Sequence, residues 1–106
     1  MTPKFTGVYP ILPTPFRQDE TVDLDAYANV VRFMANIGVD GITILGVLGE
    51  ANRLIDAERK AIIQTAIEAA EGKIPVVVGT SHSGTKATVM LSQMAADLGA
   101  SGTMVT

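Results

Sequence analysis

Two rhythms of apolar residues alternate along this chain. Short apolar runs fall at residues 8–12, 41–45, 75–79 and 102–106, and "PVVVG" at 75–79 has no polar position at all. Such runs predict strands covered on both faces, because a strand with one wet face alternates polar and apolar residues. Between the runs, apolar residues recur at three- and four-residue spacing, which predicts helices. The first helix is expected over residues 23–37, with Leu24, Tyr27, Ala28, Val31, Met34 and Ala35 on its buried stripe and Gly38 as its stop. The second is expected over 56–71. Asp56 is its expected cap, and Glu58 sits in the first turn, where unpaired N–H groups favour a carboxylate. Ile62, Ile63, Ala66, Ile67 and Ala70 face inward; Gly72 ends the helix and Pro75 opens the next strand. The third is expected over 85–98, with Ala87, Met90, Leu91, Met94 and Leu98 inward, Ser83 as cap and Gly99 as stop.

Strand and helix therefore alternate three times before a last strand, the pattern of an α/β fold with a parallel sheet. Two architectures fit: a doubly wound open sheet, or part of a (β/α)8 TIM barrel. A whole barrel takes about 250 residues, whereas this chain has 106. As a barrel, residues 1–106 are expected to be the N-terminal portion of one domain, about the first four strands and three helices. Truncation is expected at or in the fourth strand, since "GTMVT" ends on apolar residues with no turn behind it. Bare sheet edges would then favour association.

Composition narrows the function classes. At 47% hydrophobic and 18% charged, the chain has the means to bury a core. A net charge of -3 offers no basic field for nucleic acid, so no such partner is expected. Without cysteine there is no disulfide, no thiolate nucleophile and no cysteine-ligated metal. The N-terminus does not resemble a signal peptide and no stretch approaches a membrane span, so a cytoplasmic location without membrane contact is expected.

The candidate chemistry lies at the strand exits. "GVLGE", residues 46–50, follows the second apolar run. It lacks the third glycine of a dinucleotide fingerprint and the lysine of a phosphate loop, and Glu50 would repel a phosphate. It is either a tight turn in which one glycine takes an unusual backbone angle, or an anion corner. In the second reading Gly49 permits close backbone approach. The amides near Val47 and Leu48 then face a small carboxylate that their apolar side chains shield from water. Glu50 is expected to brace the loop by accepting turn amides; Asn52 and Arg53 after it are expected at the surface. In "VYPILPTPF", Pro10 is awkward inside a strand, Pro13 and Pro15 stiffen the exit, and Thr14 offers a hydroxyl. "GTSHSGTK" is the most polar exit, with Gly79 and Thr80 at its start. Its His82 is the sole histidine, too few for a metal site, and is expected in an exposed loop. Lys4, Lys60, Lys73 and Lys86 all fall outside the strands, so no amine has the fixed, desolvated position a nucleophile needs.

Together, "PILPTPF", residues 23–38, "GVDGITILGVLGEANRL", "IPVVVGTSHSGTKATV" and "AADLGASGTMVT" resemble, in order and spacing, the N-terminal part of a known family. It is the dihydrodipicolinate synthase and N-acetylneuraminate lyase family, the pyruvate-dependent class I aldolases. The resemblance covers essentially the whole chain. It implies an eight-stranded barrel and a homo-oligomer, often a tetramer built from dimers, acting on a small-molecule 2-keto acid without metal or organic cofactor. It also implies a Schiff-base lysine and a proton-relay tyrosine, both beyond Thr106, so no catalytic residue is assigned here and the chain alone is expected to be inactive. What carries over is a substrate-binding corner at Gly46, Val47, Leu48 and Thr14, with Gly49, Glu50, Gly79 and Thr80 as loop structure. The family usually has hydroxyl residues where Val47 and Leu48 stand. Backbone amides survive that change and a hydroxyl relay does not. The resemblance thus implies a Schiff-base-forming aldolase, synthase or lyase like dihydrodipicolinate synthase, acting on pyruvate or another 2-keto acid. The departure weighs against dihydrodipicolinate synthase activity itself and toward a divergent aldolase, lyase or dehydratase. A hydratase using the same imine chemistry and a non-catalytic, self-associating product are the alternatives.

Overall fold

A computed structural model describes residues 5–106. Lys4 lies outside the described residues. Helices α1 (Leu24–Asn36), α2 (Asp56–Ala70) and α3 (Thr85–Asp97) alternate with strands β1 (Ile42–Ile44), β2 (Val76–Gly79) and β3 (Gly102–Met104). The strands form one parallel sheet in the order β1-β2-β3. Thr43 stands beside Val77, and Val77 beside Gly102. Spatial order thus follows chain order, as in the wall of an α/β barrel. The sheet is open and flanked by the three helices, the arrangement of a partial α/β barrel.

Local chemistry explains the helices. The Asp23 carboxylate accepts the Ala26 N–H at 3.0 Å and caps α1. Tyr27 and Val31, one turn apart, are buried. At its end Gly38 takes a φ of +85°, which glycine adopts without steric cost. Between the helices and the sheet lies the core, where Leu12, Tyr27, Ile42, Ile44, Ile62 and Val78 are fully enclosed. The other sheet face differs from the expectation that helices cover both. Phe5, Tyr9, Thr43, Val77 and Met104 line an open cavity of about 330 Å³ there, and none of its lining residues belongs to a helix.

Several boundaries depart from the sequence pattern. No strand forms over residues 8–12. That segment makes a single bridge, Ile11 beside Thr43, held by Thr43 N–H to Pro10 O and Leu12 N–H to Thr43 O, each 2.9 Å. Pro10, the donor position before Leu12 in this register, has no N–H to extend the ladder. The last strand stops at Met104 because its neighbour β2 ends at Gly79, the residue paired with Met104. Ile55, not Asp56, precedes α2; its N–H is accepted by the Glu58 carboxylate at 3.0 Å, which replaces a side-chain cap. Gly84, not Ser83, precedes α3. The His82 Nδ1 accepts the Gly84 N–H at 3.0 Å, and no side chain caps the first turn of α3.

Candidate functional site

Parallel strands send all their exits to one side of the sheet, so the loops after β1, β2 and β3 gather on that face. The loop after β1 is set by backbone strain. Leu45 takes a φ of +58° and Glu50 one of +56°, in the left-handed region where a side chain crowds the next carbonyl. Neither Gly46 nor Gly49 has a positive φ, so the unusual angles expected of a glycine belong to the residues that bracket the pair. The glycines serve contact instead. A Cβ on Gly49 would lie 3.3 Å from Leu12 O and from the Leu45 N and Cα; one on Gly46 would lie 3.2 Å from Ile11 Cγ2. A Cβ on Gly79 would come within 2.3 Å of Leu45 O, so the exits of β1 and β2 touch backbone to backbone.

Two buried side chains brace this turn. Thr14 is 5% exposed and donates its hydroxyl to Gly49 O at 2.7 Å. Arg59, in the first turns of α2, is 6% exposed and donates Nη2 to Ala51 O at 2.6 Å. Its Nε and Nη1 are buried without a partner among the described residues. Ala51 opens the short 3-10 turn Ala51–Arg53 that follows Glu50. Val47, at 97% exposed, and Leu48 project from the tip. Among the described residues, the N–H groups of Val47, Leu48 and Gly49 donate to no backbone carbonyl, whereas the Glu50 N–H closes the turn on Val47 O at 3.0 Å.

Glu50 differs from its expected bracing role. Its carboxylate accepts no turn amide and lies 3.6 Å from the Arg53 guanidinium at the surface. An exposed pair of this kind is worth little, while the left-handed backbone costs roughly 1–2 kcal/mol for a residue with a side chain. Glu50→Gly is therefore expected to stabilise the chain by about 0.5 kcal/mol after glycine's own entropy cost is subtracted, and Glu50→Val to destabilise it by about 1 kcal/mol. Urea midpoints of the two variants check this; a lower midpoint for the glycine variant would remove the strain account.

The other exits hold the frame. The Thr80 N–H donates to Met104 O at 3.1 Å and its hydroxyl lies 2.8 Å from the Ser92 hydroxyl of α3, so this buried residue ties β2 to β3 and to α3. His82 is exposed. Asn52, Arg59, Ser81, His82, Ser83 and Thr106 surround a cavity of about 520 Å³ beside the loop. No lysine lies in β1, β2 or β3. Among the described residues, no three His, Asp or Glu side chains cluster to hold a metal ion, and no helix is long and apolar enough to cross a membrane. Sequence reasoning missed Arg59. Its signal was available: it precedes Ile62 and Ile63 by three and four residues, a charge on the apolar face of α2.

The sequence of residues 4–106 matches that of the dihydrodipicolinate synthetase family. The chain belongs to this family. Relatives in the dihydrodipicolinate synthetase family differ in their reactions. A trans-O-hydroxybenzylidenepyruvate hydratase-aldolase of Sphingobium xenophagum is 39% identical, over 93% of this chain and 32% of its own length. A 4-hydroxy-tetrahydrodipicolinate synthase of Salinibacter ruber is 38% identical, over 95% of this chain and 33% of its own. The crystal structure of dihydrodipicolinate synthase from Rhodopseudomonas palustris superposes with a TM-score of 0.91 at 37% identity, covering 99% of this chain and 35% of that one. YagE, a prophage protein of the same family from E. coli K12 solved in complex with pyruvate, gives 0.90 at 38% identity, over 95% and 34%. The chain thus spans about a third of the length of the relatives it matches.

Proposed function

We propose that this chain is the N-terminal part of a Schiff-base-forming (β/α)8 enzyme that acts on pyruvate or another 2-keto acid, and that the 46–50 loop is the corner receiving the substrate carboxylate. Membership of the dihydrodipicolinate synthetase family carries this reading. The geometry supports it: three successive backbone N–H groups at the tip of a braced loop remain free of backbone carbonyls among the described residues. Their direction does not depend on side chains, so Val47 and Leu48 leave anion binding intact while removing a hydroxyl relay. The lysine that forms the imine and the tyrosine that relays its proton would stand beyond Thr106. When present, the iminium draws electrons from the neighbouring carbon, which lets a carbon–carbon bond form or break. A hydratase-aldolase direction is the second reading; the Sphingobium xenophagum enzyme is 39% identical, as are synthases of Thermotoga neapolitana and Stenotrophomonas maltophilia.

Borohydride trapping tests the proposal. This chain alone, incubated with pyruvate and borohydride and then weighed, is expected to carry no adduct. A chimera with residues 1–106 in place of the matching third of the Salinibacter ruber synthase is expected to gain one pyruvyl group. A stoichiometric adduct on the chain alone, or none on a folded chimera, would overturn it.

A further inference from the structure

Resting on the reading that the 46–50 loop receives a carboxylate, we infer that Thr14 and Arg59 are positioning residues, two buried donors whose bonds to Gly49 O and Ala51 O hold the C-terminal end of this loop in its anion-accepting shape. The loop is bounded by two left-handed residues, Leu45 and Glu50, neither of which is glycine. A backbone held in that region persists only where its surroundings over-determine it. Thr14 supplies the hold just before Glu50, through Gly49 O at 2.7 Å, from a segment 35 residues away in sequence. Arg59 supplies it just after, through Ala51 O at 2.6 Å. Between these two fixed carbonyls lies Glu50; just ahead of them are the N–H groups of Val47, Leu48 and Gly49.

Arg59 is poorly explained as a stabilising residue. Its guanidinium is buried with two N–H-bearing atoms unpartnered among the described residues, an arrangement that opposes folding. Nor does Ala51 O depend on it, because that carbonyl also accepts the Leu54 N–H at 3.2 Å. Arg59→Met would keep the length and apolar stem of the side chain while removing the unpaired donors. Replacing a poorly satisfied buried cation by an apolar residue of similar volume is often neutral or stabilising. The two roles therefore separate: a structural arginine would lower the melting temperature when lost, and a positioning arginine would weaken ligand binding at an equal or higher melting temperature.

The test is an amide-resolved NMR titration of this chain with pyruvate, with sodium chloride at equal ionic strength as the control. In the native chain the amides of Val47, Leu48 and Gly49 are expected to shift saturably. Thr14→Val is expected to weaken that binding about tenfold, and Thr14→Ser, which keeps the hydroxyl, to restore it. Arg59→Met is expected to weaken it severalfold with no fall in melting temperature. Native-like affinity in both Thr14→Val and Arg59→Met, with saturable shifts in the native chain, would overturn the positioning roles and leave the carboxylate corner standing. No saturable shift in the native chain would overturn the corner and the positioning roles with it.

Discussion

Gly79→Ala is expected to lower the urea midpoint of this chain by about 1–2 M, from an overpacking cost of about 3 kcal/mol and a slope of about 2 kcal/mol per M. The new Cβ would stand 2.3 Å from Leu45 O and 2.9 Å from Leu45 C. Both atoms are backbone, so no side chain can rotate away. Relief requires β2 to part from the exit of β1, which would disturb the Ile44–Val78 pairing and the buried face beneath it. Gly72→Ala is the control. A Cβ there meets nothing within 4 Å, so only its φ of +72° opposes the change, at roughly 1 kcal/mol. Equal losses at the two sites would show that the approach of the two exits does not limit stability.

Tyr27 is expected to give opposite signs for two substitutions. Its side chain is fully enclosed in the core, and removal to alanine should cost about 3–5 kcal/mol in transfer and cavity terms. Its hydroxyl is buried with no partner among the described residues. Tyr27→Phe removes that unsatisfied group and should gain about 1 kcal/mol. Burial pushes the Tyr27 hydroxyl well above the ordinary tyrosine range, because the phenolate would lose its hydration. A group whose pKa is raised by folding contributes fully below its unfolded value of about 10 and loses that contribution as the pH rises above it. The advantage of the phenylalanine variant should therefore widen between pH 9 and pH 11, roughly one unit either side of that value. Paired urea titrations at the two pH values measure it. A phenylalanine variant less stable than the native chain at both would mean that the hydroxyl is satisfied in solution.

Much of the frame was legible because it is local. Each helix stands within a residue or two of its expected span, since periodicity and stop glycines act over a single turn. Caps were less legible. Asp56 and Ser83 have the right chemistry, yet Glu58 does the work at α2 and no side chain caps α3, because a cap needs one side-chain atom aimed at one N–H. The first expected strand failed at Pro10, where apolar character suits a strand and the missing donor does not. In the 46–50 loop the glycines were visible and their use was not. Strain resides at Leu45 and Glu50, and the glycines yield space to Leu12 O, Ile11 and Leu45.

The sequence by itself determined the alternation of strands and helices, the parallel α/β class, the stretches that carry the family likeness and the absence of a lysine from β1, β2 and β3. All of these depend on residue identity and short-range spacing. Only the tertiary structure decided that the three strands pair in chain order, that Thr14 bonds Gly49 across 35 residues, and that Arg59 points inward to Ala51. Those features are distances between groups far apart in the chain. A hydroxyl or a guanidinium has the same identity whether it faces water or a buried carbonyl, and packing of the whole chain selects which.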